Sequence, residues 1–487
     1  MSKGSKSLSR RAVLHAAAAT AAAAAVPSGL RAVAATPRQA RPNIVFLMAD
    51  DLGYADVSCY GRRDYTTPNI DAIAAGGMRF LQAYANSSVC SPTRTALMTG
   101  RYQYRLPVGL DEPIATRDVG LPPSHPTLPS LLRKSGYATM LIGKWHLGLL
   151  PKHGPLQSGY EHFWGFRAGA VDYFTHGAMG RADLWDGDTP VSAAGYLTDL
   201  LGDRAVAGLD ILSRSGKPFF LSLHFSAPHW PWEGPLDEPE ARRLAAAKDL
   251  RSILHLDGGT LKTYAAMVTR MDLQIGRVLE RLDALGLSDN TIVIFTSDNG
   301  GERFSDTWPF SGMKTELLEG GIRVPAIVRW PGHVPAGRSS EQVMISMDWV
   351  PTLLRAAGTH WDPDFPPDGV DIGPALSGAA SVPRTLFWRQ MTLMQQACRE
   401  GDWKYLKILD NRFLFNVVED PQERANLEDR HPEIFDSLIR KWQAWNATML
   451  PLDPAAYTHA YTGEELADHY GVQKPPAVES GDERSPP

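Results

Sequence analysis

Four short apolar runs, each leading into charged or amide side chains, constrain the fold of this 487-residue chain more than any other feature. They are Asn43-Ile44-Val45-Phe46-Leu47-Met48, Tyr137-Ala138-Thr139-Met140-Leu141-Ile142, Pro218-Phe219-Phe220-Leu221-Ser222-Leu223 and Thr291-Ile292-Val293-Ile294-Phe295-Thr296-Ser297. A continuous apolar run of this length fits a strand buried on both faces, and several such runs separated by helical stretches fit an α/β sheet covered on each side. Downstream of them stand Asp50-Asp51, Lys144 with His146, His229, and Asp298-Asn299. Parallel packing carries the carboxyl ends of such strands to one rim, where open α/β sheets build their sites. An Asp-Asp or Asp-Asn-Gly sequence alone is ordinarily a turn; its place after a buried strand gives it another meaning.

Helical periodicity fills the intervals. Leu128, Leu131 and Leu132 share one side of a segment that opens at Thr127 and stops at Gly136. From Tyr264 to Leu285, Met267, Met271, Ile275, Val278, Leu282 and Leu285 recur at three and four, which predicts one amphipathic helix ending at Gly286. Between Pro151 and Gly195, glycines, aromatics and short polar turns predict a long surface excursion over the rim. Beyond Gly378, the pieces Leu386–Arg389, Trp403–Lys407 and Phe413–Asn416 predict a small antiparallel sheet, followed by a helix after Pro432 with Ile434, Leu438, Trp442 and Trp445 on one face. The expected layout is an export signal over 1–35, a large domain over 36–378, a small α+β domain over 379–450, and an extension with a disordered tail over 451–487.

The most informative stretch is Ser88-Val89-Cys90-Ser91-Pro92-Thr93-Arg94-Thr95-Ala96-Leu97-Met98-Thr99-Gly100. Pro92 suits the first turn of a helix, where its missing N–H would lack a partner anyway. Cys90 then sits at the helix entrance, facing backbone donors and the positive end of the dipole, where anions bind. A lone cysteine is most often a small buried hydrophobe. This one stands in Cys-x-Pro-x-Arg followed by Thr-Gly-Arg, and from Ser88 to Arg101 the sequence resembles the signature of the formylglycine-dependent sulfatases, of arylsulfatase A and B type within the alkaline-phosphatase-like superfamily. Gly136-Tyr137 to His146 resembles the family's second signature, and Trp308 to Lys314 and Glu319 to Pro325 follow its pattern again. The resemblance spans Pro42 to Met449 and is loosest over Pro151–Gly195 and Glu233–Thr260.

That resemblance implies a large mixed sheet flanked by helices with a smaller C-terminal antiparallel sheet plus helix. It implies hydrolysis of a sulfate monoester, aryl or carbohydrate, to inorganic sulfate and an alcohol. Cys90 would be oxidised after translation by a maturation enzyme to formylglycine (3-oxoalanine), the nucleophile. The implied metal set is Asp50, Asp51, Cys90, Asp298 and Asn299; these hard oxygen donors suit a divalent cation, Ca2+ being the one expected with Mg2+ or Mn2+ as alternatives, and no histidine is needed on the ion. The implied catalytic set is Cys90, Arg94, Lys144, His146, His229 and Lys314. Arg94, Lys144 and Lys314 would neutralise the sulfate, His229 with Lys314 would serve the departing alcohol, and His146 would act as base during sulfate release. Glu319 and Arg323 are expected to be structural. Two other readings suit the same residues: a phosphate or phosphonate monoester hydrolase on the same fold, and a non-catalytic binder of sulfated polymers.

Charge and termini bound the partners. Ser9-Arg10-Arg11 precedes an alanine-rich run from Ala16 to Val26, and Ala32-Val33-Ala34 offers a small-residue cleavage site. The run is too short for a membrane span, so no stable membrane insertion is expected. The paired arginines resemble a twin-arginine signal, which implies a bacterial protein exported folded to the periplasm or beyond. A net charge of −5, with no basic run past the N-terminus, gives no support for a nucleic-acid partner. Any anion site is therefore local. Cys59, Cys90 and Cys398 are too few for a disulfide framework, and Cys59 can pair with Cys398 only if the fold brings them together.

Overall fold

A computed structural model describes residues 41–469, apart from 115–116, 380, 454 and 459. The expected export signal and the end of the expected tail, 470–487, lie outside the described residues. A 10-stranded mixed sheet forms the centre, and the four apolar runs are its strands Asn43–Ala49, Ala138–Lys144, Phe219–His224 and Thr291–Ser297. Asn43–Ala49 pairs in parallel with Thr291–Ser297 on one side and Phe219–His224 on the other, and Ala138–Lys144 continues the parallel run.

Their side chains alternate between two cores, as the pleat requires. Val45, Leu47, Leu221, Leu223, Val293 and Phe295 face one core, while Ile44, Phe46, Met48, Phe220, Ile292 and Ile294 face the other. The first is closed by the helices Leu197–Arg214 and Leu261–Ala284, the latter through the Met267, Met271, Ile275, Val278 and Leu282 stripe. The second is closed by Cys90–Thr99, Leu128–Lys134 and Trp349–Ala356, through Leu97, Met98, Leu128, Leu132 and Leu353. With both faces covered, these strands read as apolar runs instead of alternating ones.

One sheet edge turns antiparallel through Ala326–Arg329 and Met78–Phe80. At the other edge the expected surface excursion is corrected. Within it, His162–Phe166 pairs in parallel with Ala138–Lys144 as a further sheet strand, and Phe163, Trp164 and Phe166 are buried. Gly165 interrupts the apolar pattern because the strands meet too closely there for a side chain: a Cβ would stand 2.1 Å from the Gly143 carbonyl oxygen.

The small antiparallel sheet contains Thr385–Gln390, Gln395–Glu400, Trp403–Ile408 and Asn411–Asn416, followed by the helix Pro432–Asn446. Gln395–Glu400 was not expected, because its polar residues are buried by partners distant in sequence and not by an apolar face: Gln395 Nε2 donates to the Thr315 carbonyl, and Arg399 reaches Tyr84 and Gln82. Glu319 is structural, as expected. It accepts from Lys404 of the small sheet at 2.9 Å, from Arg323 at 3.0 Å and from Tyr84 Oη at 2.5 Å. The three cysteines are free, and Cys59 and Cys398 pack in different hydrophobic clusters. Among the described residues no helix is long and apolar enough to cross a membrane.

Candidate active site

Strand register assembles the site. Ala49 is level with Ser297, Met48 with His224, and His224 with Gly143, so the residues that follow, Asp50, Asp298 and Lys144, reach one rim together. Neighbouring residues of an extended strand point apart, yet Asp50 and Asp51 serve the same point. Asp51 adopts a left-handed backbone (φ 60°), held by its N–H on Asp298 Oδ1 at 3.2 Å. Cys90 Sγ consequently lies 3.3 Å from Asp50 Oδ1 and 3.7 Å from Asp51 Oδ1.

Cys90 is the first residue of the helix Cys90–Thr99, with extended Val89 before it and Pro92 in the first turn, as the sequence predicts. Gly100 closes the helix in a left-handed conformation (φ 71°), its N–H on the Ala96 carbonyl. Every residue of this helix is buried.

All the expected site residues are buried, and most are linked by direct contacts. Lys144 Nζ donates to Asp50 Oδ2 at 2.6 Å, and Lys314 Nζ donates to Asp51 Oδ2 at 2.6 Å. Arg94 places Nε at 3.0 Å and Nη2 at 2.8 Å from Asp298 Oδ2, with Nη2 also 3.6 Å from Asp50 Oδ1. Three carboxylates thus face three fixed cations. His229 Nδ1 lies 2.7 Å from the Trp230 carbonyl, which makes it the protonated nitrogen; Nε2 carries the lone pair, 3.2 Å from Lys314 Nζ. Tyr173 Oη holds the loop by donating to the His229 carbonyl at 2.9 Å. His146 Nε2 lies 3.3 Å from Glu112 Oε1.

Burial and crowding of like charges shape the protonation states. Burial, then the neighbouring Asp298, push the Asp50 carboxyl up to about 8 against the pull of Lys144 and Arg94. Burial and Asp50 push the Cys90 thiol well above its usual range. Burial works against the charges on Lys144 and Lys314, but Asp50 and Asp51 respectively overcome it and hold both ammonium groups above their usual values. Burial, then Lys144 and Arg94, keep His146 well below the usual imidazole range.

The donor set fits a divalent cation. Asp50, Asp51, Cys90 and His229 each bring a ligand atom within 4.8 Å of one another. Asn299 Nδ2 is engaged by Asp51 Oδ1 at 2.7 Å and the Gly300 carbonyl at 2.8 Å, which leaves Asn299 Oδ1 buried without a hydrogen-bond partner among the described residues. Three buried carboxylates gathered at one point, beside an amide oxygen with no donor, are hard ligands that a cation would satisfy.

Sequence reasoning missed two residues of this neighbourhood. His224 ends a buried strand, where its Nδ1 lies 3.3 Å from the Lys144 carbonyl and 3.5 Å from Arg94 Nη1; burial and Arg94 push it down to about 3. Its place directly after an apolar run was the available signal. Glu112 stands in no motif and nothing in the sequence marks it.

An α/β sheet whose carboxyl rim gathers buried carboxylates, ammonium groups and a helix N-terminus around one side chain defines a hydrolase site for an anionic ester. A family model described as sulfatase matches residues 42–359. The chain is 30% identical over 490 residues to arylsulfatase J of Mus musculus, covering 87% of this chain and 78% of that protein. It is 32% identical over 378 residues to N-acetylgalactosamine-6-sulfatase of Homo sapiens, covering 72% and 69% respectively. Among solved structures it is similar to Ps i-CgsB in complex with k-i-k-neocarrahexaose, with a TM-score of 0.78 and 30% identity, covering 86% of this chain and 95% of that one. The chain belongs to the sulfatase family, enzymes that hydrolyse sulfuric esters.

Proposed function

We propose that the protein hydrolyses a carbohydrate sulfate monoester, using a formylglycine derived from Cys90 and a divalent cation, Ca2+ in preference, held by Asp50, Asp51, Asp298 and Asn299. The observation that carries this reading is the position of Cys90, at a helix N-terminus and within 3.7 Å of both Asp50 and Asp51 oxygens. An unmodified thiol there is a poor nucleophile, because burial and Asp50 keep it protonated. A hydrated aldehyde at this position would supply two hydroxyls on one carbon, one as nucleophile toward sulfur and one whose deprotonation would let sulfate leave by cleavage of its C–O bond. The cation, when bound, supplies positive charge against the ester oxygens and lowers the pKa of a hydroxyl in contact with it.

The chain's own residues do the rest. A sulfate monoester repels nucleophiles through its oxygens, so charge must be neutralised before attack. Lys144 and Lys314 are held charged and can direct N–H groups at those oxygens, while Arg94 fixes Asp298 and adds its own charge. His229 has a defined lone pair at Nε2 beside Lys314 Nζ, which forms a proton relay toward the departing alcohol. His146, kept neutral by burial and the cations beside it, has a ring nitrogen able to accept a proton. The closure of the site against water by complete burial strengthens each of these interactions.

Two relatives support a carbohydrate substrate: one is named for a sulfated amino sugar, and one was solved with a neocarrahexaose. We further propose that residues 1–35 direct export to the periplasm or beyond, that 36–378 form the catalytic domain and 379–450 the small domain, and that a formylglycine-generating enzyme matures Cys90. The test is the mass of the tryptic fragment Phe80–Arg94 from protein made in its own host. Conversion of the thiol to an aldehyde lowers it by roughly 18 Da. The matured protein should cleave a sulfate ester of an aryl alcohol far faster than the phosphate ester of the same alcohol; the reverse preference would overturn the reading in favour of a phosphatase.

A further inference from the structure

We infer that Glu112 is a positioning residue for His146: its carboxylate faces Nε2 and favours the ring form with hydrogen on Nε2 and the lone pair on Nδ1, and the C-terminal extension holds Glu112 in place. The inference deepens the reading of His146 as the site's base and rests on it.

Three observations meet here. His146 Nε2 lies 3.3 Å from Glu112 Oε1, and a carboxylate only accepts, so this contact favours hydrogen on Nε2. Nδ1 is buried and has no hydrogen-bond partner among the described residues, as a lone pair reserved for a reacting group would be. The ring itself cannot swing. His146 has a left-handed backbone (φ 54°), its N–H is bonded to the Arg167 carbonyl at 3.2 Å, and Gly169 lies so close that a Cβ there would stand 2.7 Å from Cε1 and 2.8 Å from Nε2.

Lys144 ends the strand that leads into His146, Arg94 comes from the Cys90 helix, and His229 and Lys314 come from two loops; all four work against a charge on the ring. Glu112, in contact with Nε2 and not with Nδ1, is the group we assign to distinguishing the two ring nitrogens. Its own position depends on a segment beyond residues 42–359. The Glu112 N–H donates to the Tyr457 carbonyl at 2.7 Å, and Asp111 accepts from the Tyr457 N–H at 2.8 Å. Arg117 closes the clamp, reaching Asp111 at 2.7 Å and the Ala455 carbonyl at 2.6 Å. Residues 455–457 thus set the carboxylate that sets the tautomer.

The test uses the matured full-length enzyme with 15N-labelled histidine, the His146 signals being assigned by their loss in His146→Gln. Wild type should show a neutral ring protonated at Nε2. Glu112→Gln keeps an acceptor oxygen and should keep both the tautomer and most of kcat. Glu112→Leu should give a mixture of tautomers and lower kcat at least about tenfold with KM little changed. A wild-type ring protonated at Nδ1 would overturn the inference, as would a Glu112→Leu enzyme that loses kcat with its tautomer unchanged. The nitrogen spectrum needs no turnover. If no sulfate ester is hydrolysed, the functional reading falls, and the spectrum still decides whether Glu112 and His146 are paired in this way.

Discussion

Lys144 Nζ lies 2.6 Å from Asp50 Oδ2 with neither side chain reaching solvent, and this pair governs the charge of the rim. Asp50 is already pushed up to about 8 by burial and by Asp298. Removing the ammonium leaves it little reason to ionise. Lys144→Met should therefore fold, with Asp50 taking a proton in the metal-free protein, and at saturating Ca2+ it should lose transition-state stabilisation; removal of one preorganised donor of this kind costs roughly 100- to 1000-fold in kcat. Steady-state hydrolysis of an aryl sulfate, with far-UV circular dichroism as the control for folding, checks this. An enzyme within threefold or so of wild type would show that Lys144 does not touch the reacting sulfate.

The same shift predicts how metal and pH act together. Asp50 rises from 3.8 to about 8 in the folded protein, chiefly by burial, and Asp56 rises to about 7 by burial against the pull of its hydrogen bond from Tyr264. A raised folded-state pKa means that the native state binds more protons than the unfolded chain between the two values. The contribution is complete below the unfolded value and is lost as pH rises through about 7 and then about 8. Chelator-treated protein should therefore lose this part of its stability from pH 4 upward. Added Ca2+ needs Asp50 ionised, so the Tm increase it produces should grow from about pH 5 to about pH 8. Asp56→Asn should flatten the metal-free slope and leave the Ca2+ increment intact. A Ca2+ increment independent of pH would contradict Asp50 as a ligand.

The parts of the fold that could be read from sequence were those in which local pattern and tertiary environment agree. Asn43–Ala49 and Thr291–Ser297 are continuous apolar runs because helices cover both faces, and their level ends at Ala49 and Ser297 turn two turn-like motifs into one cluster. Cys90 and Arg94 were marked by local spacing that survives folding unchanged. His162–Phe166 was hidden because close contact with Gly143 demands Gly165 in mid-strand, which breaks the pattern that would announce it. Gln395–Glu400 was hidden because its buried polar groups find partners far away in sequence. The left-handed turn at Asp51 and the approach of Glu112 to His146 depend on chain segments that meet only in three dimensions, and no residue type in either place foretells them.

Glu319 ties Lys404 of the small sheet to Arg323 and Tyr84, and its removal should affect stability without touching chemistry. Burial opposes its charge, but Lys404 and Arg323 prevail and hold the carboxyl down to about 2. Glu319→Gln would leave Lys404 and Arg323 with less negative charge than their buried positions require, Lys404 retaining Glu423 at 2.8 Å. Breaking a buried ion cluster in this way costs about 3–5 kcal/mol. Urea unfolding should show that loss, while kcat measured well below the new transition stays within about twofold. Because the folded pKa is depressed, the cluster's contribution is complete above the unfolded value of 4.5 and fades as pH falls toward about 2, so the difference between wild type and variant should shrink in acid.

His229 offers the sharpest discrimination between chemistry and binding. Its Nδ1 is committed to the Trp230 carbonyl, so any proton it handles passes through Nε2, beside Lys314 Nζ at 3.2 Å. Protonating the departing oxygen matters in proportion to that oxygen's basicity. A nitrophenolate leaves unaided, whereas a sugar alkoxide needs a proton in the transition state, and a positioned acid contributes about 100- to 10000-fold to such a step. His229→Gln should therefore lose roughly that factor on a carbohydrate or alkyl sulfate and less than about tenfold on nitrophenyl sulfate. Plotted against leaving-group pKa, log kcat/KM for the variant should fall much more steeply than for wild type. Parallel lines would mean that His229 only shapes the pocket, and would move the role of acid to Lys314, whose own variant should then steepen the dependence in its place.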